Sequence, residues 1–167
     1  LSLGGAAAGN YSLSSTSTLA ADITPKPITV TADAKSKIYG DPDPVLTQQV
    51  TTGSLESGDS FTGSLDRATG ETVGTYAIGQ GTLSAGGNYT ITFVSKDLTI
   101  TKKNLTVSGA LAQNKSYDGN TTATISGATL VGVVGADDVT LANSTAGTFP
   151  QATPGTGLAV TPAMTLA

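Results

Sequence analysis

Two acidic pairs, Asp41 with Asp43 and Asp137 with Asp138, come nearest in type and spacing to a reactive or metal-binding constellation. A hydrolase that works with two carboxyl groups holds them roughly 5 to 9 Å apart across a cleft. Sequence neighbours within one turn rarely arrange that way. Calcium takes carboxylate and turn-carbonyl oxygens, but neither pair has the ligand spacing of a recognised calcium loop. Aspartate before proline or after glycine instead favours a side-chain-closed turn. The chain contains neither histidine nor cysteine. Imidazole bases, thiol nucleophiles and thiolate metal sites are therefore ruled out, and a serine or threonine could be activated only by a lysine or a carboxylate. The expectation is no enzymatic activity: no catalytic residue, no cofactor or cofactor-binding residue, and no metal ligand.

Two further sets of residues invite a chemical reading. All six asparagines, Asn10, Asn88, Asn104, Asn114, Asn120 and Asn143, stand two residues before Ser or Thr, the acceptor pattern for N-glycosylation. Because Ser and Thr together make up about a quarter of the chain, such matches arise readily by composition alone. Tyr39 and Tyr117 follow Lys37 and Lys115 at the same spacing, as sugar-stacking platforms would, or as core anchors with the hydroxyl satisfied at a turn. The recurrence favours the anchor, with the lysines laying their stems along the surface and keeping their charges in water.

The elements that carry these residues are strands. The chain has 167 residues, 21 of them glycine, with only 12% charged residues and a net charge of −4. No window shows sustained helical spacing of apolar residues, so almost no helix is expected. In Tyr89-Thr90-Ile91-Thr92-Phe93 apolar and hydroxyl side chains alternate, which predicts a strand with one buried and one wet face. The same pattern turns Ile28 and Val30, Tyr76 and Ile78, Leu98 and Ile100, Leu105 and Val107, Val139 and Leu141, and Leu158 and Val160 inward. The acidic balance offers no basic stripe for nucleic acid, and no apolar run approaches the roughly 18 residues of a membrane span. Leu1 in place of a starting methionine and the lack of a visible leader suggest a segment of something longer.

The chain also repeats. Gly9-Asn10-Tyr11-Ser12-Leu13, Asp22-Ile23-Thr24, Lys26-Pro27-Ile28-Thr29-Val30 and Lys37-Ile38-Tyr39-Gly40 occur in that order. Roughly 75 to 78 residues later come Gly87-Asn88-Tyr89-Thr90-Ile91, Asp97-Leu98-Thr99, Lys103-Asn104-Leu105-Thr106-Val107 and Lys115-Ser116-Tyr117-Asp118. A weaker echo relates Leu55, Gly58, Asp59, Phe61 and Leu65 to Leu130, Gly135, Asp138, Val139 and Leu141. Residues 1–24 thus read as the C-terminal strands of a preceding module, 25–102 as a whole module, and 103–167 as the N-terminal part of a module like the first of these. The fold class is all-β, in tandem small modules of sandwich or β-grasp-like form.

On these blocks residues 28–101 resemble the MBG module of the YGX type, carried by Lys37-Ile38-Tyr39-Gly40-Asp41-Pro42-Asp43-Pro44, Gly58-Asp59-Ser60-Phe61-Thr62-Gly63 and Val73-Gly74-Thr75-Tyr76. Residues 105–167 resemble the start of a YDG module, through Lys115-Ser116-Tyr117-Asp118-Gly119-Asn120-Thr121-Thr122-Ala123 and Gly135-Ala136-Asp137-Asp138-Val139, and residues 1–24 resemble such a module's end. The resemblance implies long arrays in large bacterial surface and haemagglutinin-like adhesins, where such modules serve as extracellular spacers in cell adhesion and biofilm matrix. Partners would be neighbouring copies joined head to tail, by strand complementation between the split module's two parts. The alternative is a module that binds surface glycan or matrix. Neither nucleic acid nor membrane insertion is expected.

Overall fold

The computed structural model describes residues 4–12 and 19–167. Leu13 and the 1–3 stretch, which carry part of the repeat, lie outside the described residues. Before Lys26 the described residues form one 3-10 turn, Ala8–Asn10, and residues 19–25 form no strand.

The first module is built from β1 (Lys26–Ala32), β2 (Lys35–Ile38), β3 (Gln48–Thr52), β4 (Asp66–Arg67), β5 (Gly74–Gly79), β6 (Tyr89–Val94) and β7 (Lys96–Thr101). One sheet has the order β3-β1-β6 and a second the order β2-β7-β5-β4. The first and last strands pair in parallel twice. Ile28 lies opposite Ile91 in the first sheet, and Lys37 opposite Ile100 in the second. The chain therefore crosses between sheets at two matched bends. At one bend Asp33 accepts from the Thr47 hydroxyl at 2.6 Å and the Gln49 amide at 2.9 Å. At the other the Ser95 hydroxyl donates to the Ile78 carbonyl at 2.8 Å. The pairing within the module is thus mixed, parallel for β1 with β6 and β2 with β7 and antiparallel for β1 with β3, β5 with β7 and β4 with β5.

Alternation places the core as expected. Ile28, Val30, Leu83, Ala85 and Tyr89 close one cluster, and Ala32, Ile78 and Leu98 a second. Leu65 and Phe93 pack against both. Tyr89 also reaches a polar partner, its hydroxyl donating to Asp59 at 2.5 Å while accepting from the Glu56 amide at 2.8 Å.

The second module contains β8 (Thr106–Ser108), β9 (Leu111–Ala112), β10 (Thr122–Ser126), β11 (Thr129–Val131), β12 (Leu141–Ala142), β13 (Ala146–Thr148), β14 (Thr161–Pro162) and β15 (Thr165–Leu166). They form a β14-β13-β10-β9 sheet and the pairs β11-β8 and β12-β15. Ala123 and Ile125 are the buried apolar side chains described there. Leu105, Val139, Leu141, Leu158 and Val160 are only half-buried, and Val107 is exposed. Inward facing was the expectation for all of them. On β8 all three residues are exposed, and the strand belongs to a two-stranded sheet with β11 alone.

Candidate functional site

The strongest concentration of charge is a closed ring of four side chains. β2 turns Lys37 inward, leaving its side chain 5% exposed. Its Nζ donates to Asp43 at 2.6 Å and to Glu71 at 2.5 Å. Arg67 on β4 completes the ring, its Nε donating to Asp43 at 2.6 Å and its second terminal nitrogen to Glu71. The same guanidinium donates to the Ala68 and Gly70 carbonyls at 2.9 and 2.6 Å, and lies 5.5 Å from the Tyr76 ring centre. Placing the lysine charge in water was therefore wrong for Lys37. Ile38 points outward in its place, and burial of the ammonium is tolerated because two carboxylates face it.

Opposite charges shift the titration of every member. Arg67 and then Lys37 hold Asp43 below the usual carboxylate range, and Lys37 and then Arg67 do the same for Glu71. Asp43 and then Glu71 hold Lys37 above its usual range. A carboxylate with a depressed folded pKa contributes stability that is full above its unfolded value, about 4, and lost as pH falls through the folded value. The lysine's contribution is full below about 10.4 and lost as pH rises through its raised value. Urea titrations at pH 7 and pH 3 should therefore show the first module losing stability in acid, and Asp43→Asn should lower the pH 7 midpoint while shrinking the acid loss. An undiminished acid loss in Asp43→Asn would take the ring out of the account.

The ring anchors the turn that meets the second module. The Tyr39 amide donates to the Thr101 carbonyl at 2.8 Å. Its hydroxyl crosses the joint to Asp137 Oδ2 at 2.8 Å, which raises the tyrosine pKa. Tyr39 is thus satisfied at a turn, as the anchor reading required, but the turn belongs to the other module. Gly40 has φ +86°, and a Cβ there would come within 2.5 Å of Val134 Cγ2. Only glycine fits both the backbone and the contact. Beside them lies a cleft of about 210 Å³ lined by Tyr39, Val73, Leu105, Val134, Val139 and Leu166, among others. Gly40→Ala should leave the first module's spectrum intact away from the turn while residual dipolar couplings show the two modules reorienting. Unchanged relative couplings would mean that the joint does not depend on this contact.

In the second module Lys115 folds onto its own turn, donating to Asp118 at 2.8 Å and to the Asn120 carbonyl and side-chain oxygen at 2.8 and 2.9 Å. Tyr117 is 69% exposed, which corrects the expectation that it anchors a core. The acidic pairs are split. Asp43 belongs to the ring and Asp137 to the joint, while Asp41 and Asp138 are exposed with no side-chain hydrogen bond among the described residues. No group of three His, Cys, Asp or Glu side chains able to hold a metal ion occurs among the described residues. Arg67 and Glu71 were not singled out from the sequence. A lone arginine among so few charges was the signal available.

Residues 28–99 match the family model of the MBG domain (YGX type), and residues 101–167 match that of the YDG domain. The chain carries an MBG domain and a YDG domain in tandem. No curated protein and no solved structure matches it. The pair of families fits a repeat module of surface adhesin-like proteins.

The YDG domain also holds a groove of about 510 Å³. Residues 112–117 form one wall and residues 151–158 the other, with Phe149 alongside. Residues 114–117 make no backbone hydrogen bond among the described residues. All six asparagines of the glycosylation pattern are exposed.

Proposed function

We propose that the chain is a non-catalytic spacer unit of an extracellular bacterial adhesin stalk or fibre, working in cell adhesion and biofilm matrix. The observation that carries this reading is the joint. The two domains are linked directly from β7 to β8 over residues 102–105, and Tyr39, Gly40, Val134 and Asp137 fix one against the other. A short connector with a packed contact favours a stiff rod over beads on a string. The partners in this reading are neighbouring copies joined head to tail, with neither nucleic acid nor membrane insertion involved. Deleting whole two-domain units from the parent fibre should shorten it while ligand specificity stays unchanged. Loss of specificity on deletion would overturn the spacer role.

A second reading, binding of surface glycan or matrix, is favoured by one observation, the exposed Tyr117 at the YDG groove. Aromatic rings presented beside polar groups suit sugar faces. Saturable binding of oligosaccharides that Tyr117→Ala abolishes would support it, and no binding at millimolar sugar would dismiss it.

A further inference from the structure

The MBG domain contains a template for the YDG groove. In the MBG domain β7 lies between β2 and β5, parallel to the first and antiparallel to the second. Lys37-Ile38-Tyr39 of the β2 region matches Lys115-Ser116-Tyr117, and Gly74-Thr75 with Ala77-Ile78 of β5 matches Gly155-Thr156 with Ala159-Val160. Lys115-Ser116-Tyr117 lies in one wall of the groove and Gly155-Thr156 in the other. A strand between them would stand where β7 stands in the MBG domain. Two other features agree. β1 has β3 on one side and β6 on the other, whereas β8, the match of β1, has only β11 among the described residues. Asp59 accepts the Tyr89 hydroxyl, whereas its match Asp138 has no hydrogen-bonded side chain among the described residues.

The sequence that matches β6 and β7 lies at the other end of the chain. Asn10-Tyr11-Ser12 corresponds to Asn88-Tyr89-Thr90, and Asp22-Ile23-Thr24 to Asp97-Leu98-Thr99. In the MBG domain Tyr89 and Leu98 are core residues, yet Tyr11 is 73% and Ile23 102% exposed. Apolar side chains patterned for a core and left in water call for a cover, and a strand edge with unpaired amides calls for a strand.

We propose that residues 10–12 and 22–24 of a second copy of this chain enter the YDG groove in parallel with residues 103–116, and that copies join head to tail in this way. The MBG registers of Tyr89 with Lys26 and Leu98 with Lys35 place Tyr11 opposite Lys103 and Ile23 opposite Gln113. The Tyr11 hydroxyl then reaches Asp138 as Tyr89 reaches Asp59. Tyr11 to Ile23 is 12 positions against 9 from Tyr89 to Leu98, and residues 13–18 between them lie outside the described residues. The inference rests on the reading of the chain as an array unit. Its test uses non-covalent assembly, so it can fail while the stiffness of covalently linked copies stands.

Sedimentation of the 167-residue chain should show mass rising with concentration in whole-copy steps. Excess synthetic peptide of residues 8–24 should return it to single-copy mass and slow amide exchange at residues 114–117 at least tenfold. The same peptide carrying Ile23→Asp should do neither. A single-copy mass at every concentration, or growth indifferent to the peptide, would overturn the proposal.

Discussion

Leu98→Ala is expected to lower the stability of the MBG domain by about 3 kcal/mol. Leu98 is 0% exposed and packs with Ala32 and Ile78 in the cluster beneath the second sheet. It sits on β7, hydrogen-bonded on both sides, so the backbone cannot close over the space that truncation leaves. A domain of this size has only about 4 to 11 kcal/mol in total, so the substitution removes a large share of it. Tyr76 and Tyr89 report unfolding by fluorescence, as the chain has no tryptophan. The urea midpoint should fall with the slope unchanged. Val45→Ala, at an exposed position, should stay within about 0.5 kcal/mol of the unsubstituted chain. A loss below about 1 kcal/mol for Leu98→Ala would show that the two-sheet core is not what holds the domain.

Ile125→Ala should have the opposite selectivity. In the YDG domain Ile125 and Ala123 are the buried apolar side chains described, and Ile125 Cδ1 lies 3.0 Å from where a Cβ on Gly147 would be. With so small a core, a loss of about 3 kcal/mol removes a large share of what holds the domain. Hydrogen exchange resolved by domain should show β10 and β13 losing protection while β1, β5 and β7 keep theirs. Simultaneous loss in both domains would instead mean that the Tyr39 joint makes them one cooperative unit.

Much of the MBG domain was legible because alternation is a local signal. Tyr89, Ile91 and Phe93, Ile28 with Val30, and Leu98 with Ile100 face inward as their spacing requires. The parallel pairing of β1 with β6 was not legible, since nothing in either strand records which distant partner it meets or in which direction. Alternation also fails on β2. There Lys37 is inside and Ile38 outside because Asp43 and Glu71, remote in sequence, make the buried charge favourable. Tyr39 and Tyr117 illustrate the same limit. Their contexts match, but Tyr39 has Asp137 to meet across the joint and Tyr117 has no such neighbour among the described residues. The repeat matched Lys37-Ile38-Tyr39 to Lys115-Ser116-Tyr117, and only the geometry showed that a groove lies beside the second of these stretches.

The spacer reading is tested most directly by joining one, two and four copies of the chain end to end and measuring their maximum dimension by small-angle scattering. Stiff stacking through joints such as Tyr39–Asp137 predicts that length grows in proportion to copy number. Growth with roughly the square root of copy number, as for a flexible string of domains, would contradict it.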